Sequence, residues 1–173
     1  MMEAISWRGA GPDDAAIVAA LGRETFVESF AHLYSADNLA AFLENHSEGG
    51  WRAELSDPRF AVRLGEAEGK AVAYAKIGPP ALPIETIGKA VELRQFYVLK
   101  PWHGAGAAGE LMAWVLDEAR ARGADEINLS VYTDNPRARR FYERYGFEYA
   151  GRYAFMVGTQ ADEDLIMRLK LNP

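Results

Sequence analysis

Phe96-Tyr97-Val98-Leu99-Lys100-Pro101-Trp102-His103-Gly104-Ala105-Gly106-Ala107-Ala108-Gly109 is the stretch that decides the architecture. Its front half continues Val91-Glu92-Leu93-Arg94-Gln95, and the alternation predicts a strand over 91–98. Its back half opens a helix over 105–121 that ends near Gly123. Between the two, glycines let the backbone approach a ligand closely. The free amides and the dipole of a helix start face an anion there, and a diphosphate is the natural guest. Gly104, Gly106 and Gly109 literally match G-x-G-x-x-G, the dinucleotide fingerprint. That motif should begin a βαβ unit of a doubly wound sheet. Here it follows more than half the chain, and Asp125 and Glu126 precede the next strand instead of ending it. A small-residue helix start that only packs tightly is the remaining alternative.

The next informative stretch is Asn135-Pro136-Arg137-Ala138-Arg139-Arg140-Phe141-Tyr142-Glu143-Arg144-Tyr145-Gly146-Phe147. Asn135 suits an N-cap and Pro136 the first helical position. Ala138 and Phe141 share a face, Tyr145 lies one turn beyond, and Gly146 suits a C-cap. A well-capped amphipathic helix accounts for most of these residues. Arg137, Arg139 and Arg140 are either phosphate contacts or a solvated helix face.

Outward from these stretches, Ile5–Arg8 alternates as a first strand. Gly11-Pro12-Asp13-Asp14 opens a helix running through Leu21, a second helical stretch covers about 23–30, and Ser35-Ala36-Asp37-Asn38 caps another helix. Residues 59–64 and 70–77 read as strands around a turn at Glu68-Gly69-Lys70, and 78–88, with three prolines, as a loop. Further strands are expected at 127–132, 147–157 and 164–171, with a helix at 136–145. The order implies one α/β domain over 1–173, a mixed sheet covered by helices.

Composition narrows the function. Hydrophobic residues make up 49% of 173 and charged residues 25%, as in an ordinary globular protein. No apolar run approaches the ~18 residues that cross a bilayer, and the N-terminus lacks a basic start followed by an apolar stretch, so a cytoplasmic protein is expected. There is no cysteine, hence no disulfide, thiolate-bound metal or cysteine nucleophile. His32, His46 and His103 have no metal-ligand spacing, and no metal is expected. A net charge of -6 argues against nucleic acid as the main partner and is compatible with a cationic substrate.

The two motifs in this order resemble those of the GNAT superfamily of N-acetyltransferases. His103-Gly104-Ala105-Gly106-Ala107-Ala108 is similar to its Q/R-x-x-G-x-G/A motif, with His103 where Gln or Arg is usual. The stretch from Asn135 to Phe147 is similar to its N-x-x-A-x-x-F-Y-x-x-x-G-F signature. Glu24–Phe30 with Tyr34–Leu39, Glu92–Val98 and Phe155–Gly158 with Asp164–Met167 look like the PaiA-type spermidine/spermine acetyltransferases.

The resemblance implies a central, mostly antiparallel sheet of six to seven strands with acetyl-CoA between strands 4 and 5. It implies acetyl transfer to a primary amine, a polyamine in the PaiA branch, by direct attack in a ternary complex. Phe96, Tyr97, Val98, His103, Gly104, Ala105, Gly106, Ala107, Ala108, Gly109 and Asn135 are the implied cofactor-binding residues. Of these, the Val98 amide is the implied oxyanion donor. Tyr142, implied near the CoA sulfur, would protonate the leaving thiolate. Glu92 is the candidate base, because an ammonium with pKa near ~10 must first lose a proton. Glu24, Glu28 and Tyr34 are candidates for the amine site. A homodimer, a peptide N-terminal acetyltransferase and a non-catalytic acyl-CoA sensor also fall within the implied range.

Overall fold

A computed structural model of the chain describes residues 4–44 and 46–171. The ends of the expected 1–173 domain, including the first three residues of the N-terminal stretch, lie outside that range. Seven strands, β1 (Ser6–Gly9), β2 (Ala61–Ala67), β3 (Lys70–Gly78), β4 (Ala90–Val98), β5 (Glu126–Tyr132), β6 (Glu148–Val157) and β7 (Gln160–Lys170), form one sheet in the order β1-β2-β3-β4-β5-β7-β6. Every neighbouring pair is antiparallel except β4 and β5. The helices are α1 (Ala15–Phe30), α2 (Ala36–Glu44), α3 (Glu48–Leu55), α4 (Ala107–Ala121) and α5 (Pro136–Arg144). No helix among the described residues is long and apolar enough to cross a membrane.

The alternation of the strands builds two cores on opposite faces of the sheet. Leu111, Met112, Val115 and Ala119 of α4 pack with Val91, Leu93, Ile127, Leu129 and Met167 on one face, where Tyr142 and Phe147 join them. On the other, Val18 and Leu21 of α1 and Trp51 of α3 pack on Leu64, Val72 and Tyr74. The parallel pair is short. Ala90, Val91 and Glu92 stand opposite Glu126, Ile127 and Asn128, and there the pairing stops. Beyond it, β4 stays with β3 and β5 with β7, so a gap opens between β4 and β5 toward their C-terminal ends.

One irregularity sets which side chains face that gap. Lys76 lies opposite Gln95 but Ile77 lies opposite Leu93, so Arg94 is an extra residue in β4. Such a bulge reverses the alternation. Val91 and Leu93 face α4 before it, and Phe96 and Val98 face α4 and α5 after it, while Tyr97 turns to the other side against Tyr74.

Two helical expectations need correction. The stretch read as two helices over 15–30 is the single helix α1, because Gly22 does not end it. A Cβ there would meet the Tyr74 hydroxyl at 3.3 Å, so glycine permits close packing on the sheet. The segment 48–55, not foreseen as helical, is α3. Ser47 caps it by accepting from the Gly50 amide, and Trp51, 3% exposed, ties it to Tyr74.

Candidate active site

The loop after β4 is shaped for an anion. Gly104 and Gly106 have φ of +80° and +82°, a region other residues rarely adopt, and a Cβ on either would stand in open space. Gly106 is the N-cap of α4 and has no side-chain cap. The first intrahelical bond runs from the Glu110 amide to the Gly106 carbonyl. The amides of Ala107, Ala108 and Gly109 therefore have no helical acceptor. This cradle fits a diphosphate held by main chain alone.

His103, where the family has Gln or Arg, is exposed but engaged on both ring nitrogens. Its Nε2 lies 2.6 Å from the Val98 carbonyl and its Nδ1 2.9 Å from Arg137 Nη1. A carbonyl only accepts and a guanidinium only donates, so the ring carries its proton on Nε2. His103 thereby joins the end of β4 to the start of α5. The Leu99 amide donates to the Val72 carbonyl at 2.9 Å, toward β3. Successive amides of a strand alternate in direction, so the Val98 amide faces the gap between β4 and β5.

Opposite stands α5. Asn135 Oδ1 accepts from the Ala138 amide at 3.2 Å, so its side chain caps the helix. Tyr142 is 9% exposed, with its ring 6.2 Å from Phe96, 5.5 Å from Phe141 and 5.7 Å from Phe147. Burial pushes its phenol up, and the neighbouring Tyr97 phenol adds to the shift. Tyr142 is therefore a protonated donor at any working pH. Burial likewise pushes Tyr97 up to about 12, with Asp164 adding to it.

The remaining candidates separate. Tyr34, after α1, donates to Asp162 Oδ2 and stacks on Phe26. Glu28 Oε1 accepts from the Lys100 amide at 2.7 Å, and Glu24 pairs with Lys70 at 3.1 Å. Neither joins Tyr34 at Asp162. Glu92, 6% exposed, is engaged on both oxygens. Oε1 accepts from the amides of Ala81 and Leu82 at 2.8 and 2.9 Å, and Oε2 lies 3.0 Å from Arg94 Nε. It anchors the loop between β3 and β4.

The sequence reading passed over a polar patch at the open end of the gap. Ile127, Leu129 and Val131 belong to the α4 core, so Asn128, Ser130 and Tyr132 face the α1 side. Asp164 stands opposite Tyr132 in register and Asp162 lies two residues before it. Both are buried, at 6% and 8% exposure, whereas Glu163 between them is exposed. Burial raises the Asp164 carboxyl to about 6, with the Ser130 hydroxyl opposing and the Asp162 charge adding. The contiguous acids Asp162-Glu163-Asp164 carry no alternation that marks the outer two as inward. Among the described residues no group of three His, Cys, Asp or Glu is arranged to hold a metal.

An anion cradle on one face, a buried polar patch on the other and an open seam between parallel strands suit a group-transfer enzyme. The model of the Acetyltransferase (GNAT) family matches residues 22–147, and the chain belongs to that family. It is an acyltransferase. An uncharacterised N-acetyltransferase of Mycobacterium tuberculosis is 34% identical over 155 residues, covering 89% of this chain and 96% of that one. The PaiA N-acetyltransferase of Thermoplasma acidophilum, solved in complex with coenzyme A, superposes with a TM-score of 0.75 at 18% identity, covering 96% of this chain and 99% of that one. A Salmonella typhimurium acetyltransferase solved with acetyl-CoA gives 0.67 at 20% identity, covering 98% of this chain and 95% of that one.

Proposed function

We propose that the protein transfers the acetyl group of acetyl-CoA to a primary amine of a small cationic molecule, with a polyamine as the leading candidate. The observation that carries this reading is the seam itself. The cradle at 104–109 and Tyr142 lie toward the α4 and α5 face, and the acidic, tyrosine-lined patch lies toward α1 and α2. In this reading donor and acceptor enter from opposite sides and react by direct attack in a ternary complex. The solved relatives with coenzyme A or acetyl-CoA support the donor. The PaiA-like structure and the paired acids support the acceptor class.

In this reading the amides of 104–109 hold the diphosphate, and the Val98 amide meets the oxygen of the thioester carbonyl as charge builds on it. Tyr142 donates to the departing sulfur. Its raised pKa keeps the proton in place until negative charge develops there. Positioning supplies much of the rate, because a thioester is already activated.

The test is a thiol-release assay with acetyl-CoA across spermidine, amino acids, aminoglycosides and peptides, run on wild type and on Tyr142→Phe. Spermidine should be acetylated faster than peptides. Tyr142→Phe keeps the ring packing and should lower kcat by roughly ten- to a thousandfold. Turnover of peptide N-termini alone would identify a protein acetyltransferase instead. Acetyl-CoA binding with no turnover of any amine would identify a sensor.

A further inference from the structure

We propose that Asp164 is the carboxylate that receives the acceptor's ammonium and takes its first proton. This rests on the amine-acetyltransferase reading above. The position comes from topology. Asp164 pairs across strands with Tyr132, the last residue of β5, on the side away from α4. That is the lip of the gap, and Tyr97 of β4 lies on the same side of the sheet, against Tyr74. Tyr142 packs on Phe96 from the other side.

The groups around Asp164 come from every adjoining element. They are Ser130 and Tyr132 of β5, Asp162 of β7, Tyr97 of β4, Tyr153 opposite on β6, and Tyr34, which reaches Asp162 from the segment after α1. No cation is among them. Asp162 is fixed by Tyr34 on one oxygen and by Gln160 Nε2, at 2.9 Å, on the other. It serves as a fixed charge, whereas Asp164 is left to exchange protons. Glu92 cannot take that role while both its oxygens hold the loop and Arg94.

A second observation points to a donor-rich ligand. Asn128 lies on the same face of β5, two residues before Ser130, and is 1% exposed. Its Nδ2 donates to Glu126, but its Oδ1 has no hydrogen-bond partner among the described residues. Buried acceptors are rarely left so. Arg168 stands opposite Asn128 on β7 and is paired with Glu126 at 3.4 Å. Beyond that pair, the face carrying Asp164, Asp162 and the unmatched amide oxygen, with aromatic rings beside them, suits an alkylammonium.

The step balances as follows. The ammonium R–NH3+ gives one proton to the Asp164 carboxylate and becomes the neutral amine. Its lone pair forms the N–C bond at the thioester carbonyl, and the C–S bond breaks. The nitrogen's surplus proton ends on the CoA sulfur, relayed through Tyr142. Asp164 returns its proton to solvent. The sum is one acetamide, one thiol and one proton from one ammonium and one thioester.

Spermidine turnover and spermidine binding in the presence of CoA test the assignment. Asp164→Asn should lower kcat/KM for spermidine by roughly 10²- to 10⁴-fold. It should weaken calorimetric spermidine affinity about tenfold or more, with acetyl-CoA affinity unchanged. Wild-type kcat/KM should fall on the acid side with a midpoint near pH 6, and Asp164→Asn should lose that limb. Ser130→Ala, which removes the opposing hydroxyl, should move the limb to higher pH, and it decides the matter if Asp164→Asn does not fold. An active wild type whose Asp164→Asn variant stays within threefold, or a limb that Ser130→Ala leaves in place, overturns the role of Asp164 alone. A wild type that binds acetyl-CoA and acetylates no amine overturns the function reading and this assignment with it.

Discussion

Burying Asp164 sets catalysis against stability. Its carboxyl titrates near 6 in the fold and near 3.9 in an unfolded chain, so the folded state binds more protons between those values. Folding stability should therefore fall as pH rises from about 4 to about 6.5, and the deficit should persist above that. Asp164→Asn should remove the dependence and be more stable than wild type at pH 7.5, by roughly 3 kcal/mol at most. Urea unfolding of both proteins at pH 4.5 and 7.5 checks this; equal differences at the two pH values would show that the carboxylate is not strained. The glycine loop was legible in the sequence from its place before a helix, and Tyr142 was singled out only through the resemblance to the family signature. The sequence did not expose Asp164, because Asp162-Glu163-Asp164 reads as three charges on a solvated strand. Only the pairing of β7 with β5 shows that the outer two point inward.

Among the elements, α5 bears on the site most directly, since it carries Tyr142 at one end and Arg137, which reaches His103, at the other. Its packing face is narrow, so its cap matters. Asn135→Ala leaves the Ala138 amide without its acceptor and should cost about 1 kcal/mol of stability. Frayed, the first turn would also release Arg137 from His103, so acetyl-CoA affinity should fall along with the melting temperature. A variant that loses stability but keeps full affinity would separate the cap from the site. Strands β3, β4 and β5 and helices α4 and α5 were legible because period, caps and glycines agree there. Helix α3 was not, since Gly49 and Gly50 disfavour a helix locally, and tertiary contacts of Trp51 with Tyr74 and of Glu54 with Lys76 add to the Ser47 cap in sustaining it. The roles of Glu92 and Glu28 were hidden for a related reason. Glu92 binds two backbone amides and Glu28 one, each in a segment remote in sequence, and no local pattern announces such a contact.

For the whole molecule, the seam between β4 and β5 couples ligand binding to the integrity of the sheet. The two halves are joined there by a short parallel ladder, by α4 and α5, and by the His103 bridge. A donor molecule lying across the seam should act as a further tie. Acetyl-CoA at ~100 times its dissociation constant should add about 2.7 kcal/mol to unfolding, seen as a raised melting temperature. A shift with NAD and none with acetyl-CoA would contradict the donor assignment. The bulge at Arg94 has a consequence of a different kind. Substituting Arg94 alters one side chain, but losing its codon removes the extra residue that reverses the strand. Phe96 and Val98 would then rotate to the α1 side, and Tyr97 would be driven into the α4 core. In this gene a three-base deletion at that point would be a far heavier lesion than any missense change there.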